Sequence, residues 1–326
     1  MNKTIGIFGG GQLGRMMAQA ALPLNLQCTF FETTTDCPAA KLGPVFATQD
    51  PQGLQDFIAS ADVFSLEFEN TPVAYVDVLT QSKTLYPPRL ALATAQHRLA
   101  EKQLFDELKI PVAPYRAVDS VDSLKQAVTD LGLPIVLKTA TGGYDGKGQF
   151  VLRSVDQIGT AWAELGPAKS LIAESFVHFS REVSIIAVRG QTGEVKTWAL
   201  AENHHHHGIL SHSIVPAPNS AELEPVAQDY ITRLLNHLNY VGVLTLELFV
   251  TEQGLYANEM ACRVHNSGHW SIEGAICSQF ENHIRAVAGL PLGATDVVRP
   301  TVMINIIGQH PKTEDVLALN GAHLHL

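Results

Sequence analysis

The sequence contains 326 residues, more than a single domain usually has, so two or three domains are expected. Hydrophobic residues make up 46% of the chain and charged residues 17%, which argues against a long disordered acidic tail. The 22 lysines and arginines and the 32 aspartates and glutamates give a formal net charge of -10, which would repel a nucleic-acid backbone. No basic stripe offsets this charge, and we expect no nucleic-acid partner.

Membrane insertion and export are not expected either. No stretch reaches the roughly 18 consecutive apolar residues of a membrane span. Glycines interrupt the apolar start of the chain where a signal peptide needs an unbroken core. The four cysteines, which lack the spacing of a disulfide framework or a metal site, are Cys28, Cys37, Cys262 and Cys277. We therefore expect a cytoplasmic protein.

Short apolar runs alternate with a helical pattern in the N-terminal part of the chain. The pattern predicts strands at 4–8, 27–31 and 63–68 and a helix at 13–21. Such alternation is typical of βαβ units around a parallel sheet. The consecutive prolines Pro87 and Pro88 then stop regular structure. An α/β domain is therefore predicted at 1–94.

A different pattern follows this domain. An amphipathic helix is predicted within 92–108, with Arg98 and Lys102 lying away from its apolar face. The strands predicted after it are 134–138, 149–153, 171–174, 182–189 and 194–200. Turn glycines, prolines and β-branched residues favour a mostly antiparallel α+β unit with helices on one side.

A glycine-rich turn follows the first predicted strand. Gly9, Gly11 and Gly14 fit the pattern G-x-G-x-x-G, and Glu32 ends the next strand. Glycines here permit a tight turn and let a phosphate approach the amides at a helix N-terminus. Three interpretations stay open, namely NAD binding, a turn needed only for packing, and a phosphorylated substrate.

A second glycine-rich loop, at 141–148, follows a predicted strand that ends on Lys138. Its four glycines and Lys147 offer backbone amides and, with Lys138, two cations, which together suit a polyphosphate. The order is not G-x-x-x-x-G-K-S/T, so P-loop chemistry is not implied. The alternative is an exposed hairpin, although a bare hairpin rarely needs four glycines and flanking lysines.

Two glutamates are predicted to oppose each other across a hairpin. The predicted strands are 243–250 and 255–260, joined by a three-residue loop with Gly254 in the left-handed position. This register pairs Thr251 with Leu255 and Glu247 with Glu259. Opposed carboxylates destabilise a ladder unless they are neutralised, and magnesium bound with nucleotide phosphates would neutralise them. The alternative is two solvated glutamates, which a one-residue change of register would separate.

Polar residues cluster in two further segments. One follows the hairpin directly and contains Arg263, His265, Asn266 and Ser267. These side chains could grip an oxyanion and move a proton, and a capped surface loop is the alternative. The other segment, 67–70, lies at the end of a predicted strand, where open α/β sheets bind ligands. A helix-cap role for Asn70 before Pro72 is equally compatible with the sequence.

Four consecutive histidines occupy 204–207. Such a run is typical of a metal-binding tract or of a tag fragment, but its internal position argues against a tag. Four neighbouring histidines on a strand cannot all face one ion, because successive side chains point to opposite faces. We expect most of them in a solvated turn and one in contact with a ligand.

Together, these motifs resemble the ATP-grasp superfamily and, within it, the N5-carboxyaminoimidazole ribonucleotide synthetase family of purine biosynthesis. The resemblance runs from Gly9 to the end of the chain, and its most specific segments are 9–16, 67–70, 141–149 and 263–270. It implies a Rossmann-like parallel-sheet domain at 1–94, an ATP-grasp fold of two α+β lobes with a glycine-rich lid at 95–300, and the start of a small C-terminal β module at 301–326.

The resemblance also implies roles for residues at matching positions. For ATP, the residues implied to hold the phosphates are Arg98, Lys138, Gly143, Tyr144, Asp145, Gly146, Lys147, Gly148 and Gln149. Those implied at the adenine edge are Glu174, Ser175, Phe176 and Val177, and Glu182 is implied to bind the ribose hydroxyls. His205, Asn258 and Glu259 complete the residues implied to bind ATP. Magnesium is implied at Glu247 and Glu259. The residues implied to bind the ribonucleotide are Glu67, Arg263, His265, Asn266 and Ser267. The residues implied to be catalytic are Tyr144, Asp145, Arg263, His265 and Asn266.

The implied reaction converts ATP, bicarbonate and aminoimidazole ribonucleotide to ADP, phosphate and the N5-carboxylated ribonucleotide, through carboxyphosphate. Magnesium and the lysines would neutralise the transferring phosphoryl group, and the closed glycine loop would exclude water. Asp145 and His265 are the two candidates for removing the proton of the acceptor amine. The resemblance also implies a homodimer.

Three other functions are compatible with parts of this pattern. They are a formate-activating relative in the same superfamily, an NAD-dependent dehydrogenase and an inactive nucleotide-binding scaffold. The scaffold would be expected to lack Glu247, Glu259 or Lys138, and all three are present. Departures from the family pattern are Cys262 in place of proline and His97 in place of aspartate. Related chains continue into a tail that helps to hold the ribonucleotide phosphate, so we expect that part of the pocket to be incomplete.

Overall fold

The computed structural model describes residues 3–142, 148–168 and 170–326. Its N-terminal unit is a parallel sheet with the strand order β3-β2-β1-β4. The strands are β1 (Thr4–Phe8), β2 (Gln27–Glu32), β3 (Val45–Ala47) and β4 (Val63–Leu66). The helices are α1 (Gln12–Ala21), α2 (Gly53–Ser60), α3 (Val73–Leu79) and α4 (Arg89–Ala95). Nearly every residue of β1, β2 and β4 is buried, as expected for a parallel sheet covered on both faces.

Helix α5 (Arg98–Glu107) leads into a smaller lobe with an antiparallel sheet of order β5-β8-β6-β7. Its strands are β5 (Tyr115–Val118), β6 (Ile135–Thr139), β7 (Gln149–Leu152) and β8 (Leu171–Ser175). Its helices are α6 (Val121–Leu131) and α7 (Ile158–Leu165). A separate apolar core, which includes Leu124, Leu137 and Leu152, lies between this sheet and its helices.

The largest sheet has the order β14-β13-β9-β11-β12-β15, with β10 paired to β9, and all its pairings are antiparallel. Its strands are β9 (Arg181–Arg189), β10 (Val195–Thr197), β11 (Ala201–His206), β12 (Ile209–Val215), β13 (Gly242–Thr251), β14 (Gly254–Ala261) and β15 (Thr301–Ile304). The accompanying helices are α8 (Glu224–His237), α9 (Ser271–Gly274), α10 (Gln279–Ala288) and α11 (Thr313–Leu317). None of the described helices is long and apolar enough to cross a membrane.

The N-terminal sheet and the large sheet share their apolar cores. One core joins Phe64 and Leu66 of β4 to Leu244 and Leu246 of β13. Between the same two strands lies the fully buried His283 of α10. Its Nε2 is 2.7 Å from the Ser65 hydroxyl, and its Nδ1 accepts from the Val243 N–H at 3.1 Å. The two sheets are therefore built on a common interior.

The parallel N-terminal sheet and the antiparallel body confirm the predicted fold class, but two predicted elements are wrong. The helix predicted within 92–108 is two helices, since His97 is extended and the Arg98 N–H donates to Ala140 O instead of continuing from α4. The strand predicted at 194–200 is limited to Val195–Thr197. The Trp198 side chain beyond it is buried, with its indole N–H donating to Cys277 O.

Candidate active site

The β13–β14 hairpin brings two carboxylates together through an irregular ladder. Thr251 pairs with Gly254, so the turn has two residues, and the predicted pairing of Thr251 with Leu255 is wrong. A shift in register between Leu248 and Glu247 then leaves Asn258 as an extra residue in β14. This bulge offsets the shorter turn, and the opposition of Glu247 and Glu259 is confirmed.

Two buried charged residues of α5 hold the bulge. The Met260 N–H donates to Glu101 Oε1 at 2.6 Å, and Lys102 Nζ donates to Asn258 O at 2.8 Å. Each residue is only 2% exposed. Burial raises the pKa of Glu101 to about 8 and lowers that of Lys102. Sequence reasoning missed Glu101 and wrongly expected Lys102 on a free polar face, because a charged pair on a helix normally faces water.

Each opposed glutamate has a cationic or polar partner. His265 Nε2 lies 3.2 Å from Glu247 Oε1, and Arg98 Nη1 donates to Glu259 Oε2 at 3.1 Å. Burial alone would raise the pKa of Glu247, but its interactions with His265 and then with His205 hold it below its ordinary value. Glu247 is therefore an anion near neutral pH.

This pair fits a hard divalent cation only if further ligands come from elsewhere. Carboxylate oxygens suit magnesium, which usually keeps few protein ligands and binds substrate phosphates. Within the described ranges, no group of three or more His, Cys, Asp or Glu residues could hold an ion. A cation at Glu247 and Glu259 would therefore need oxygens from a bound nucleotide or water.

The predicted phosphate and adenine residues lie at the edge of the small lobe. Lys138 Nζ donates to Glu174 Oε2 at 2.7 Å, and Lys102 Nζ is 3.8 Å from Glu174 Oε1. Burial opposes ionisation of Glu174, yet the two lysines lower its pKa to about 2. The Ser175 and Phe176 amides donate to Pro114 O and Pro134 O, so neither amide is free for a base.

The glycine-rich loop is described only at its ends. Gly148 has a φ of +71°, and a Cβ there would lie 2.9 Å from the Thr139 hydroxyl, which explains the glycine. Gln149 begins β7 and pairs with Lys138. The predicted lid residues Gly143, Tyr144, Asp145, Gly146 and Lys147 lie outside the described residues.

The expected ribose residue Glu182 and His205 lie together on β9 and β11. His205 Nδ1 is 3.2 Å from Glu182 Oε2, and this ion-pair contact raises the His205 pKa against the opposing effect of burial. His204 instead stacks on His212 with ring centroids 4.3 Å apart. His207 has a positive φ of 51° in the turn before β12. The rings of His206 and His207 lie 4.1 Å apart, so the four histidines have three environments, and His205 lies beside the predicted nucleotide residue Glu182.

The polar loop after β14 is joined to the N-terminal unit. Arg263 pairs with Glu69 through two hydrogen bonds, one of them from Nη2 to Oε1 at 2.9 Å. Burial opposes the ionised form of Glu69, but Arg263 keeps its pKa below the ordinary value. Gln279 fixes the same loop, since its Oε1 accepts from the His265 N–H and its Nε2 donates to His265 O.

A cavity of about 720 Å³ opens between this loop and the N-terminal sheet. Its walls include Glu67, Asn70, Tyr75, Arg263, Asn266 and His269. Asn266 Oδ1 is buried and has no hydrogen-bond partner among the described residues. A buried polar atom of this kind normally has a partner, so a ligand hydrogen bond at Asn266 is expected. The volume is large enough for a small organic molecule.

The N-terminal glycine motif is filled by a side chain of the protein itself. The Gly11 N–H donates to Glu67 Oε2 at 2.7 Å. A Cβ on Gly9, Gly11 or Gly14 would lie within 2.4 to 2.7 Å of a Glu67 carboxylate oxygen. The glycines therefore make room for Glu67 where a pyrophosphate would otherwise approach, which argues against the dinucleotide interpretation.

Two family models match the chain over these units. Residues 1–96 match the ribonucleotide synthetase preATP-grasp domain, and residues 103–280 match the ATP-grasp domain. The fold and the site thus define an ATP-grasp protein with a ribonucleotide-synthetase type of N-terminal domain.

The individual relatives narrow this class. The chain is 46% identical to N5-carboxyaminoimidazole ribonucleotide synthase of Pseudomonas aeruginosa, over 98% of this chain and 89% of that one. The crystal structure of the Thermus thermophilus synthetase is 45% identical with a TM-score of 0.94, over 98% of this chain and 88% of that one. The Aspergillus clavatus synthase, solved with ADP and 5-aminoimidazole ribonucleotide, is 28% identical with a TM-score of 0.88, over 97% and 85%. The chain belongs to the N5-carboxyaminoimidazole ribonucleotide synthase family.

Proposed function

We propose that this protein is a carbon–nitrogen ligase that carboxylates 5-aminoimidazole ribonucleotide with bicarbonate and ATP. The products are N5-carboxyaminoimidazole ribonucleotide, ADP and phosphate, in purine biosynthesis. The observation that carries this proposal is the loop after β14, which serves two sites at once. His265 contacts the Glu247 carboxylate, while Arg263 and Asn266 line the cavity under the N-terminal sheet.

The residues divide between two half-reactions. In the first, a bicarbonate oxygen attacks the γ-phosphorus of ATP, which gives carboxyphosphate and releases ADP. Arg98 and Lys138 would hold phosphate oxygens, and both already lie beside carboxylates that keep them oriented. Magnesium held by Glu247 and Glu259 would supply charge neutralisation. Glu182 and His205 would bind the nucleotide ribose.

In the second half-reaction, carboxyphosphate yields carbon dioxide and phosphate, and the ribonucleotide amine attacks the carbon dioxide. The amine loses one proton to a base as the carbamate forms, and the candidates from the sequence are Asp145 and His265. The cavity would hold the ribonucleotide, with Glu67 and Arg263 as binding residues and Asn266 as a hydrogen-bond partner. Ser267, which the family resemblance also implied as a binding residue, is fully buried and its hydroxyl contacts Ser184 and His265 instead. Since the cavity adjoins the hairpin through one short loop, carbon dioxide would form beside the acceptor and meet little water.

The test is ADP release measured with bicarbonate, with and without 5-aminoimidazole ribonucleotide. We expect stimulation by the ribonucleotide and formation of a carboxylated product from labelled bicarbonate. ADP release that the ribonucleotide does not stimulate would overturn the acceptor assignment.

The Glu259→Ala variant tests the cation site. Its turnover should fall by at least about 100-fold, because one of the two carboxylates of the site is missing. The matched control is Glu252→Ala in the hairpin turn.

We also propose a cytoplasmic homodimer with unit boundaries at 1–94, 95–300 and 301–326. The support for the dimer and the compartment is the family resemblance. Light scattering at micromolar concentration and fractionation of the producing cells test the two points separately.

A further inference from the structure

Buried polar side chains form one continuous chain that ends at the cation site. The successive contacts are Ser213 Oγ to Asn203 Oδ1 at 2.8 Å, Asn203 Nδ2 to Ser184 Oγ at 3.0 Å, Ser184 Oγ to Ser267 Oγ at 2.8 Å, Ser267 Oγ to His265 Nδ1 at 2.9 Å, and His265 Nε2 to Glu247 Oε1 at 3.2 Å. The first four residues of this hydrogen-bonded series are at most 5% exposed. The series runs across β12, β11 and β9 before it reaches the loop after β14.

The amide of Asn203 sets the direction of these hydrogen bonds. Its carbonyl oxygen can only accept, here from Ser213, and its NH₂ group can only donate, here to Ser184. Ser184 Oγ is therefore an acceptor toward Asn203. Its other side-chain contact among the described residues is Ser267 Oγ, so we assign the Ser184 proton to that bond. Ser267 in turn directs its hydroxyl proton to His265 Nδ1.

The backbone gives the same direction independently. The Ser267 N–H also donates to His265 Nδ1, at 3.3 Å. An N–H group cannot accept, so Nδ1 carries no proton in this arrangement and the ring proton lies on Nε2. His265 Nε2 lies 3.2 Å from Glu247 Oε1, so its proton faces this carboxylate, which stays anionic and oriented for a cation.

We propose that Asn203 and Ser184 are positioning residues that fix His265 as its Nε2–H tautomer, so that His265 donates to Glu247 and does not remove the acceptor proton. The second part rests on the proposed function, because the acceptor is the ribonucleotide amine. Of the two candidates for that proton, His265 is thereby assigned to orienting Glu247. The amine proton then passes to another group, of which Asp145 is the other candidate in the sequence.

The tautomer is tested in the ligand-free full chain by long-range ¹H–¹⁵N correlation of the His265 ring, assigned by comparison with His265→Gln. We expect a pyridine-type Nδ1 and a pyrrole-type Nε2. In Asn203→Asp, the donor to Ser184 becomes an acceptor and the chain of hydroxyl protons can reverse. Because the Ser267 N–H still points at Nδ1, although from 3.3 Å, we expect the proton to move only in part to Nδ1, which gives a mixture of tautomers. A protonated Nδ1 in the wild type overturns the assignment, and an unchanged ring in Asn203→Asp overturns the role of Asn203.

Kinetics in the same variants separate positioning from folding. Because partners of this kind typically change activity 10- to 100-fold, Ser184→Ala and Asn203→Asp should lower kcat by about 10-fold or more, with the KM for ATP within about twofold. Ser184→Ala also tests the relay if Asn203→Asp does not fold, since alanine neither donates nor accepts, and a mixture of tautomers is expected. Unchanged tautomer and kcat in Ser184→Ala would contradict the proposal.

Thr245→Val is the matched control. Thr245 lies on β13, is fully buried, and its hydroxyl has no hydrogen-bond partner among the described residues. Removing this hydroxyl should leave the tautomer and kcat as in the wild type. The ring spectra need no substrate, so they test the tautomer even if 5-aminoimidazole ribonucleotide is not the acceptor. If the ribonucleotide does not stimulate turnover of the wild type, that result counts against the proposed function alone.

Discussion

Glu67 shows how one side chain can change the meaning of a motif. Its carboxylate occupies the amide-lined turn between Gly9 and Gly14, at the N-terminus of α1, where the helix dipole favours an anion. Burial raises the pKa of Glu67, while the amide hydrogen bonds oppose that effect. A side chain of the protein thus satisfies the pattern G-x-G-x-x-G, which favours packing over a dinucleotide, while Gly9 and Gly11 also line the cavity proposed for the phosphorylated substrate.

Replacing Glu67 should therefore destabilise the protein without creating a dinucleotide site. Glu67→Ala removes the acceptor of the Gly11 N–H, and an unpaired buried amide costs about 1–3 kcal/mol of unfolding free energy. Urea denaturation measures this change, with the exposed Glu107→Gln in α5 as control, expected within about 0.5 kcal/mol of the wild type. Micromolar NADH binding by either protein would contradict the interpretation.

The β13–β14 hairpin shows what alternation can and cannot predict. The strands and the opposed glutamates follow from period-two patterning and the glycine turn. The bulge at Asn258 could not be predicted, because it depends on Glu101 and Lys102 from α5, far away in the sequence. The predicted loop was one residue too long, and the predicted strand lacked the bulge. These two errors have opposite effects on the register, so the predicted pairing of Glu247 with Glu259 is still correct.

The buried pair in α5 provides a test of this hairpin. Glu101→Gln keeps an oxygen that can accept from the Met260 N–H and should behave nearly as the wild type. Glu101→Leu removes the acceptor, lets the bulge shift, and should raise the magnesium concentration for half-maximal activity several-fold, with about 1–3 kcal/mol of lost stability. Magnesium titrations of ADP release compare the two variants. Equal magnesium requirements would show that Glu101 does not position Glu259.

At the scale of the whole molecule, the fold class and the order of the motifs were predictable, whereas the contacts between the sheets were not. The cavity joins residues near position 9, near 67 and near 263 that share no local pattern. The resemblance to a family placed them in one site. Neither periodicity nor spacing could have given the pair of Arg263 with Glu69, or the buried polar chain behind Ser267.

His283 makes the junction of the two larger sheets sensitive to acid. Burial lowers its pKa from 6.5 to about 4. Above pH 6.5 the ring is neutral in both the folded and unfolded states, so the full stability is present. As the pH falls from 6.5 toward 4, His283 binds a proton in the unfolded state but not in the folded state. The free energy of unfolding therefore falls by up to about 3 kcal/mol.

Urea unfolding at several pH values checks this effect. His283→Gln should be less stable at pH 7, because the hydrogen bonds to Ser65 and Val243 are altered, but its stability should fall less steeply between pH 6.5 and 4. His237→Gln, at the exposed end of α8, should keep the wild-type slope. Parallel slopes for the wild type and His283→Gln would show that His283 is not the group responsible.

The separate core of the small lobe allows this lobe to unfold locally while the rest of the molecule stays folded. The interior shared by the N-terminal and large sheets makes the cavity walls one cooperative unit, since neither sheet can be exposed to water without disrupting the other. The lobe around β5 to β8 has its own interior. Amide hydrogens of that lobe can therefore exchange through local unfolding, at a lower free energy than those behind the ribonucleotide cavity. Nucleotide binding across the lobe should slow this exchange and link the opening of the lobe to the ATP cycle.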